Sequence, residues 1–376
     1  MAHAVKRRVQ RGRTVSAMKL ATRLPGERSL RQEDADRIAA IRGQLIEVGD
    51  RWRAAHPFLA RHQDAIGLAF FLVSTIGVLV DAAMYVEGTM PWWLCIPLTA
   101  FWLSILHEIE HDRIHSMYFR TNKLVHNAMM FGVWFLRPST INPWTRRRLH
   151  LHHHRVSGTE SDLEERSISN GEPWDGRRVI KLLDLMLGMY VRPFSTYATA
   201  AAFVKEVARD EDDQRKLGWE LRRIYFPLGL VHYGLWHLYI GLHVANLLGA
   251  DISGSGLHAL DVAAVVLLAP NAFRSFCLHF VSSNMHYFGD VEAHNVLQQT
   301  QVWTSKWLWP VHAFCFNFGG THAIHHFLVR DPFYVREAIG HECREILRAG
   351  GVRFDDYGTF KRANRFEILV PGHAEM

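Results

Sequence analysis

The hydrophobic and polar positions alternate on two scales along this chain. Four long stretches are apolar almost throughout, at about 65–84, 91–106, 224–250 and 257–281. Each is long enough, or nearly so, to cross a hydrocarbon layer of about 30 Å as a helix. The second has only sixteen uncharged residues before His107, so its helix is expected to run on past the lipid and to carry His107 and His111 into water. Two further apolar stretches, 124–136 and 182–204, are interrupted or short. The second has Arg192 and Pro193 in mid-run, which suits a segment lying on the membrane surface rather than spanning it. Apolar residues at helical spacing also mark 31–47, read as an amphipathic helix with a solvated or membrane-surface face, and 333–348. These patterns predict an all-α integral membrane protein of about four spans with a cytoplasmic helical cap.

Charge sets the orientation. The two short links between paired spans, 81–90 and 251–256, contain no Lys or Arg, whereas residues 1–63, 107–223 and 282–376 are rich in them. Basic residues stay on the cytoplasmic side, so both termini and the polar sections are expected there, in a bacterial inner membrane. The expected organisation is a basic arm (1–63), a membrane domain (64–330) and a C-terminal cytoplasmic tail (331–376). No apolar run lies within the first 30 residues, so the arm is not expected to act as a secretory signal. The net charge of +6 is accounted for by this asymmetry and implies no nucleic-acid partner. The mean hydropathy of −0.06 fits a few spans beside a large polar part. The four cysteines lie far apart with no C-x-x-C pair, which excludes a disulfide framework and a rubredoxin-like iron site.

Histidine changes the picture most. There are 24, and they cluster. His107 and His111 stand four apart at the end of the second apolar run, one helical turn apart on one face. His150, His153 and His154 form H-x-x-H-H, as do His322, His325 and His326, and His286 follows the fourth apolar run. All fall on the expected cytoplasmic side. Imidazole is the commonest metal ligand at neutral pH. Nine imidazoles are too many for one ion and suffice for two, with four or five each. All-nitrogen coordination with open positions suits iron that handles O₂, and the same nine residues are the expected catalytic set. Glu108, Glu110, Asp112, Glu160, Asp162 and Asp290 are placed to orient the rings. His115 continues the 107/111 face and His152 points away from its neighbours; neither is assigned. His232, His237, His243 and His279 lie within the apolar runs and are read as neutral rings bonded to neighbouring helices.

HEIEH at 107–111, HLHHH at 150–154, HYFG at 286–289 and THAIHH at 321–326 resemble the histidine boxes of the membrane di-iron oxygenases, the superfamily of fatty acid desaturases and alkane hydroxylases. The resemblance covers roughly residues 65–330, and 321–335 is most similar to bacterial fatty-acid-desaturase-like enzymes. It implies two Fe²⁺ ions, O₂ as co-substrate and two electrons from a separate donor, a ferredoxin, rubredoxin or cytochrome b5-type protein, since no fused H-P-G-G signature is present. It implies a fatty acid or acyl-lipid substrate in the membrane, and desaturation first. Hydroxylation of an alkane or fatty acid, or decarboxylation to a terminal alkene, would use the same site. Arg146, Arg147 and Arg148 are read as a lipid-headgroup patch that also offers a cation to a free acid.

Two rivals come from other classes. HEIEH fits the H-E-x-x-H helix of zinc proteases, with Glu108 as general base, but leaves both H-x-x-H-H clusters idle. A metal transporter would need polar residues paired near the membrane midplane, where scattered histidines and one terminal Asp are expected.

Overall fold

The computed structural model describes residues 31–292 and 294–366. It is all-helical, with no strand among those residues. Helix α1 (Gln32–Ala55) leads into an antiparallel pair, α2 (Gln63–Val86) and α3 (Trp92–Ile114). Pro91 precedes α3, where its missing N–H costs no helical bond. The pair approaches closely because Gly77 presents no side chain to the Trp102 indole; a Cβ there would overlap the ring. Buried Asp81 accepts from Thr99 Oγ1 at 3.5 Å across the same interface. Outward, Leu72, Val73, Ile76, Leu79 and Val80 of α2 are exposed, as befits a lipid-facing helix.

As expected from the sequence, α3 continues without a break past the end of its apolar part, and every residue from Leu103 to Ile114 is buried. The polar section then folds as α4 (Lys123–Leu136), α5 (Pro143–Val156), α6 (Leu163–Ser167), α7 (Gly176–Leu183), α8 (Pro193–Val207) and α9 (Glu211–Arg222). The 182–204 stretch is thus not one segment; it breaks at Asp184 and again before Pro193. Helices α10 (Leu228–Leu247) and α11 (Ser255–Met285) follow, then α12 (Phe318–Phe327) and α13 (Phe333–Ala349).

Helices α2, α3 and α11 are each long and apolar enough to cross a membrane. Helix α10 has 20 residues and exposes Leu230, Val231, Leu238, Ile240, Val244 and Leu247, but His232, His237 and His243 dilute it. Helix α1 has a larger role than a solvated amphipath. It buries Ile38, Ile41, Leu45 and Val48 in one core with Val335, Ile339, Cys343 and Leu347 of α13. Arg42 donates to the Phe327 carbonyl at 2.8 Å and Arg53 pairs with Asp331 at 2.7 Å. That core also takes in the last turns of α11 and much of α12, and so holds together the helix ends that carry the histidines.

Candidate metal centre

Helix α3 directs three faces to three partners over its last two turns. His107, His111 and His115 form one stripe. Glu108 and Asp112 form a second, and both meet Arg336 of α13, at 3.0 and 3.1 Å. Asp112 also accepts from the Phe333 N–H at 2.9 Å and from the Tyr118 hydroxyl at 2.8 Å. Glu110 faces a third way, to Arg137 at 2.6 Å and Arg146 at 3.0 Å. The stripe with the histidines is therefore clamped from both sides.

Opposite it, α5 starts at an Asn142 cap that accepts from the N–H groups of Trp144 and Thr145, with Pro143 in the first turn. Its inner face carries His150, His153 and His154. His286 stands where α11 ends and the backbone turns extended. Helix α12 begins after Asn317, which holds a left-handed φ of 54°, and brings in His322, His325 and His326.

The side chains gather into two groups, within each of which the ligand atoms lie within 4.8 Å of one another. One is His111, His115, His150, His154 and His325. The other is His153, His286, His322 and His326. Eight of the nine histidines singled out in the sequence are brought together in these groups. His107 is not; it sits one turn toward the membrane from His111, and His115 stands with the others in its place. His152 points away, bonded to Ser161 Oγ at 3.1 Å and set edge-on to Phe203.

The donor set tests whether a cation fits. His150 Nδ1 meets Glu164 at 2.8 Å, His153 Nδ1 meets Asp162 at 2.9 Å, and His286 Nδ1 meets the Ser282 carbonyl at 2.9 Å and Glu165 at 3.2 Å. Ionised carboxylates and carbonyls only accept, so each ring carries a proton on Nδ1 and, in its neutral form, turns a bare Nε2 lone pair inward. In the four-histidine group, His326 Nε2 faces the Nε2 atoms of His153, His286 and His322 at 3.3, 3.2 and 3.1 Å. In the other, His325 Nε2 faces His115 at 3.0 Å and His154 at 3.1 Å. One proton cannot satisfy several converging lone pairs; a metal ion can. Burial and the neighbouring rings hold His150, His154, His325 and His326 well below the ordinary imidazole pKa, so these rings are neutral. His153 goes the other way, to about 9, because the Asp162 carboxylate outweighs burial and favours the doubly protonated ring, so a metal ion at its Nε2 would have to displace a proton.

Of the carboxylates proposed from sequence to orient the rings, Asp162 does so. Glu108 and Glu110 instead pair with arginines, Asp112 pairs with Arg336 while lying 3.9 Å from His111 Nδ1, and Asp290 accepts from the Phe366 N–H at 2.6 Å. Glu164 and Glu165 escape the sequence reading; their signal is their place in Asp162-Leu-Glu-Glu165, directly after the second box. Gly158, at φ +90°, supplies the reversal that brings this segment back under α5. Arg274 also escapes it. A charged residue inside the fourth apolar run is itself a signal, and the expectation of only histidines and one terminal Asp in the spans is corrected here.

The fatty acid desaturase family model matches residues 87–358, which takes in both histidine groups and every helix that carries them. The chain belongs to the fatty acid desaturase family. It is thereby a member of the histidine-box membrane oxygenases and an oxidoreductase, in keeping with the all-helical fold and the apolar helices. No curated protein matches the chain. For a desaturase, the cavity beside the histidines is where the substrate is expected. It measures about 80 Å³ and has His111, His150, His153 and His322 in its wall, so residues of both groups face it. His107, Arg137, Arg146 and Arg274 form much of the rest.

Proposed function

We propose that this chain oxidises an unactivated C–H bond in a fatty acyl chain at a two-iron centre, with desaturation as the principal outcome. The observation that carries this reading is the convergence of bare imidazole nitrogens in two adjacent groups. In this proposal His111, His115, His150, His154 and His325 hold one iron, and His153, His286, His322 and His326 hold the other. When bound, the irons supply the activation of O₂ that lets hydrogen be removed from an alkyl carbon. The protein's own residues do the rest. Asp162, Glu164 and Glu165 fix the tautomers, and Phe318, stacked on His322 with centroids 3.9 Å apart, closes one side against water. The cavity wall places one stretch of alkyl chain against the ligands. Desaturation, hydroxylation and decarboxylation differ in which carbon is presented and in the step after hydrogen removal, not in the ligand set.

The zinc-protease alternative finds no support in α3. Glu108 would have to face the metal as a base, yet it sits on the stripe bonded to Arg336. In this reading α10 is a fourth span, the termini face the cytoplasm, and a separate one-electron carrier delivers reducing equivalents there. Feeding deuterated fatty acids to cells that express the chain, and analysing lipids and headspace by gas chromatography and mass spectrometry, tests it. A new double bond or hydroxyl with carbon count retained, or an alkene one carbon shorter, supports oxidation at this site. No O₂-dependent product from any chain length would contradict it.

A further inference from the structure

The cavity beside the histidines contains a cation, Arg274, that makes no close ion pair with a carboxylate among the described residues, although Glu110 and Asp184 act on it from further away. Arg274 is 1% exposed. Its Nη2 donates to Ser275 Oγ at 2.8 Å, while Nε and Nη1 are buried with no hydrogen-bond partner. A second donor faces the same space. Arg146 Nη1 lies 3.5 Å from His107 Nδ1. A guanidinium has no acceptor, so His107 Nδ1 must be the accepting nitrogen and the ring proton sits on Nε2. That Nε2–H is also buried without a partner.

The anionic groups around the cavity are already engaged. Glu110 is held by Arg137 and Arg146, Glu164 by Arg146 and His150, and Glu165 by His286. Asp184 accepts from the Met186 N–H at 3.1 Å and lies 3.7 Å from His232; burial raises its pKa well above the ordinary carboxyl value, against the opposing pull of the Met186 N–H and of Arg274 itself, and Asp184 makes no close ion pair with Arg274. A buried guanidinium left uncompensated is costly. Two idle donor groups, one charged, in the wall of a cavity also lined by His111, His150, His153 and His322 make a receptor for a small anion attached to an apolar chain.

Resting on the desaturase-like reading above, we propose that the substrate is a free fatty acid, whose carboxylate is bound by Arg274 Nη1 and by the Nε2–H of His107. An ester or thioester offers a carbonyl but no charge, and would leave Arg274 uncompensated. An acid anchored there presents the carbons nearest its carboxyl end to the ligand histidines. His107 and Arg274 are binding and positioning residues in this account, not ligands.

Equilibrium binding to the purified full chain under anaerobic conditions tests this without turnover. The probes are hexadecanoic acid and its methyl ester, with iron measured on the same samples. The unaltered chain is expected to bind the acid at least about tenfold more tightly than the ester, as a charge-assisted hydrogen bond requires. Arg274→Gln should lose most of that preference and leave ester binding unchanged, Arg274→Lys should keep part of it, and His107→Gln should lose a smaller part. Equal binding of acid and ester by the unaltered chain overturns the proposal even if Arg274→Gln fails to fold. Wild-type acid binding by a folded Arg274→Gln overturns it too, and with iron retained leaves the metal centre standing. Acid preference that depends on Arg274 in a chain that takes up no iron would keep the carboxylate site and remove the metal centre.

Discussion

At the scale of single residues, function rests on pairs in which one partner only accepts. Asp162 fixes the proton of His153 on Nδ1 and leaves Nε2 for metal. Asp162→Asn removes the charge and lets the amide present either face, so iron affinity should fall about 10- to 100-fold, read by competition with a chelator of known affinity. Asp212→Asn, at an exposed carboxylate of α9, should leave it unchanged. An Asp162→Asn protein with unaltered iron affinity would show that the ring needs no such support. The histidine content, the repeated H-x-x-H-H and Asp162 were all readable from sequence. The choice between His107 and His115 was not, because His107, His111 and His115 share one stripe of α3 and the level at which α12 crosses that stripe is a tertiary fact. The pairing of Glu108 and Asp112 with Arg336, 224 or more residues away, was equally invisible.

At the scale of helices, α3 is tied to α13 by one buried cation, Arg336. Arg336→Ala would leave Glu108 and Asp112 buried without it, a loss of about 3–5 kcal/mol, seen as earlier thermal unfolding in detergent and weaker retention of iron. Arg336→Lys should fall between, since it cannot bridge both carboxylates as a fork. Unfolding of Arg336→Ala at the wild-type temperature would contradict the clamp. The helices themselves arise from the apolar pattern, and α3 runs on past its apolar part as the sequence suggested. The contribution of α1 was harder to see. Its buried positions Ile38, Ile41, Leu45 and Val48 mark an amphipath, but periodicity gives no sign of whether water, lipid or another helix covers that face. Here α13 does. The wide turn at Ala264–Leu268 in α11 also has no mark in the sequence.

At the scale of the whole molecule, apolar helices and a histidine-rich cap divide the labour. Helices α2, α3 and α11 are long and apolar enough to cross a membrane, and α3 and α11 end beside the two histidine groups. The basic character of the cap supports the proposed orientation, with the histidines on the cytoplasmic side. Glu87→Cys, in the link between α2 and α3, should react with a membrane-impermeant maleimide added to intact cells. Arg215→Cys, exposed on α9, should react only after the membrane is opened. Labelling in the reverse order would invert the topology and place the histidines on the wrong side for a cytoplasmic electron donor. The same experiment at Gly249→Cys, beyond the end of α10, reports whether that helix crosses: labelling from outside means four spans.

The two-metal centre is tested most directly by counting metal. The purified full chain, loaded anaerobically with Fe²⁺ and freed of excess, should carry two irons by elemental mass spectrometry. His107→Ala should keep both, whereas His115→Ala should lose one, as should His326→Ala from the other group. A single bound zinc, or iron that disappears with His107 and persists without His115, would contradict the account.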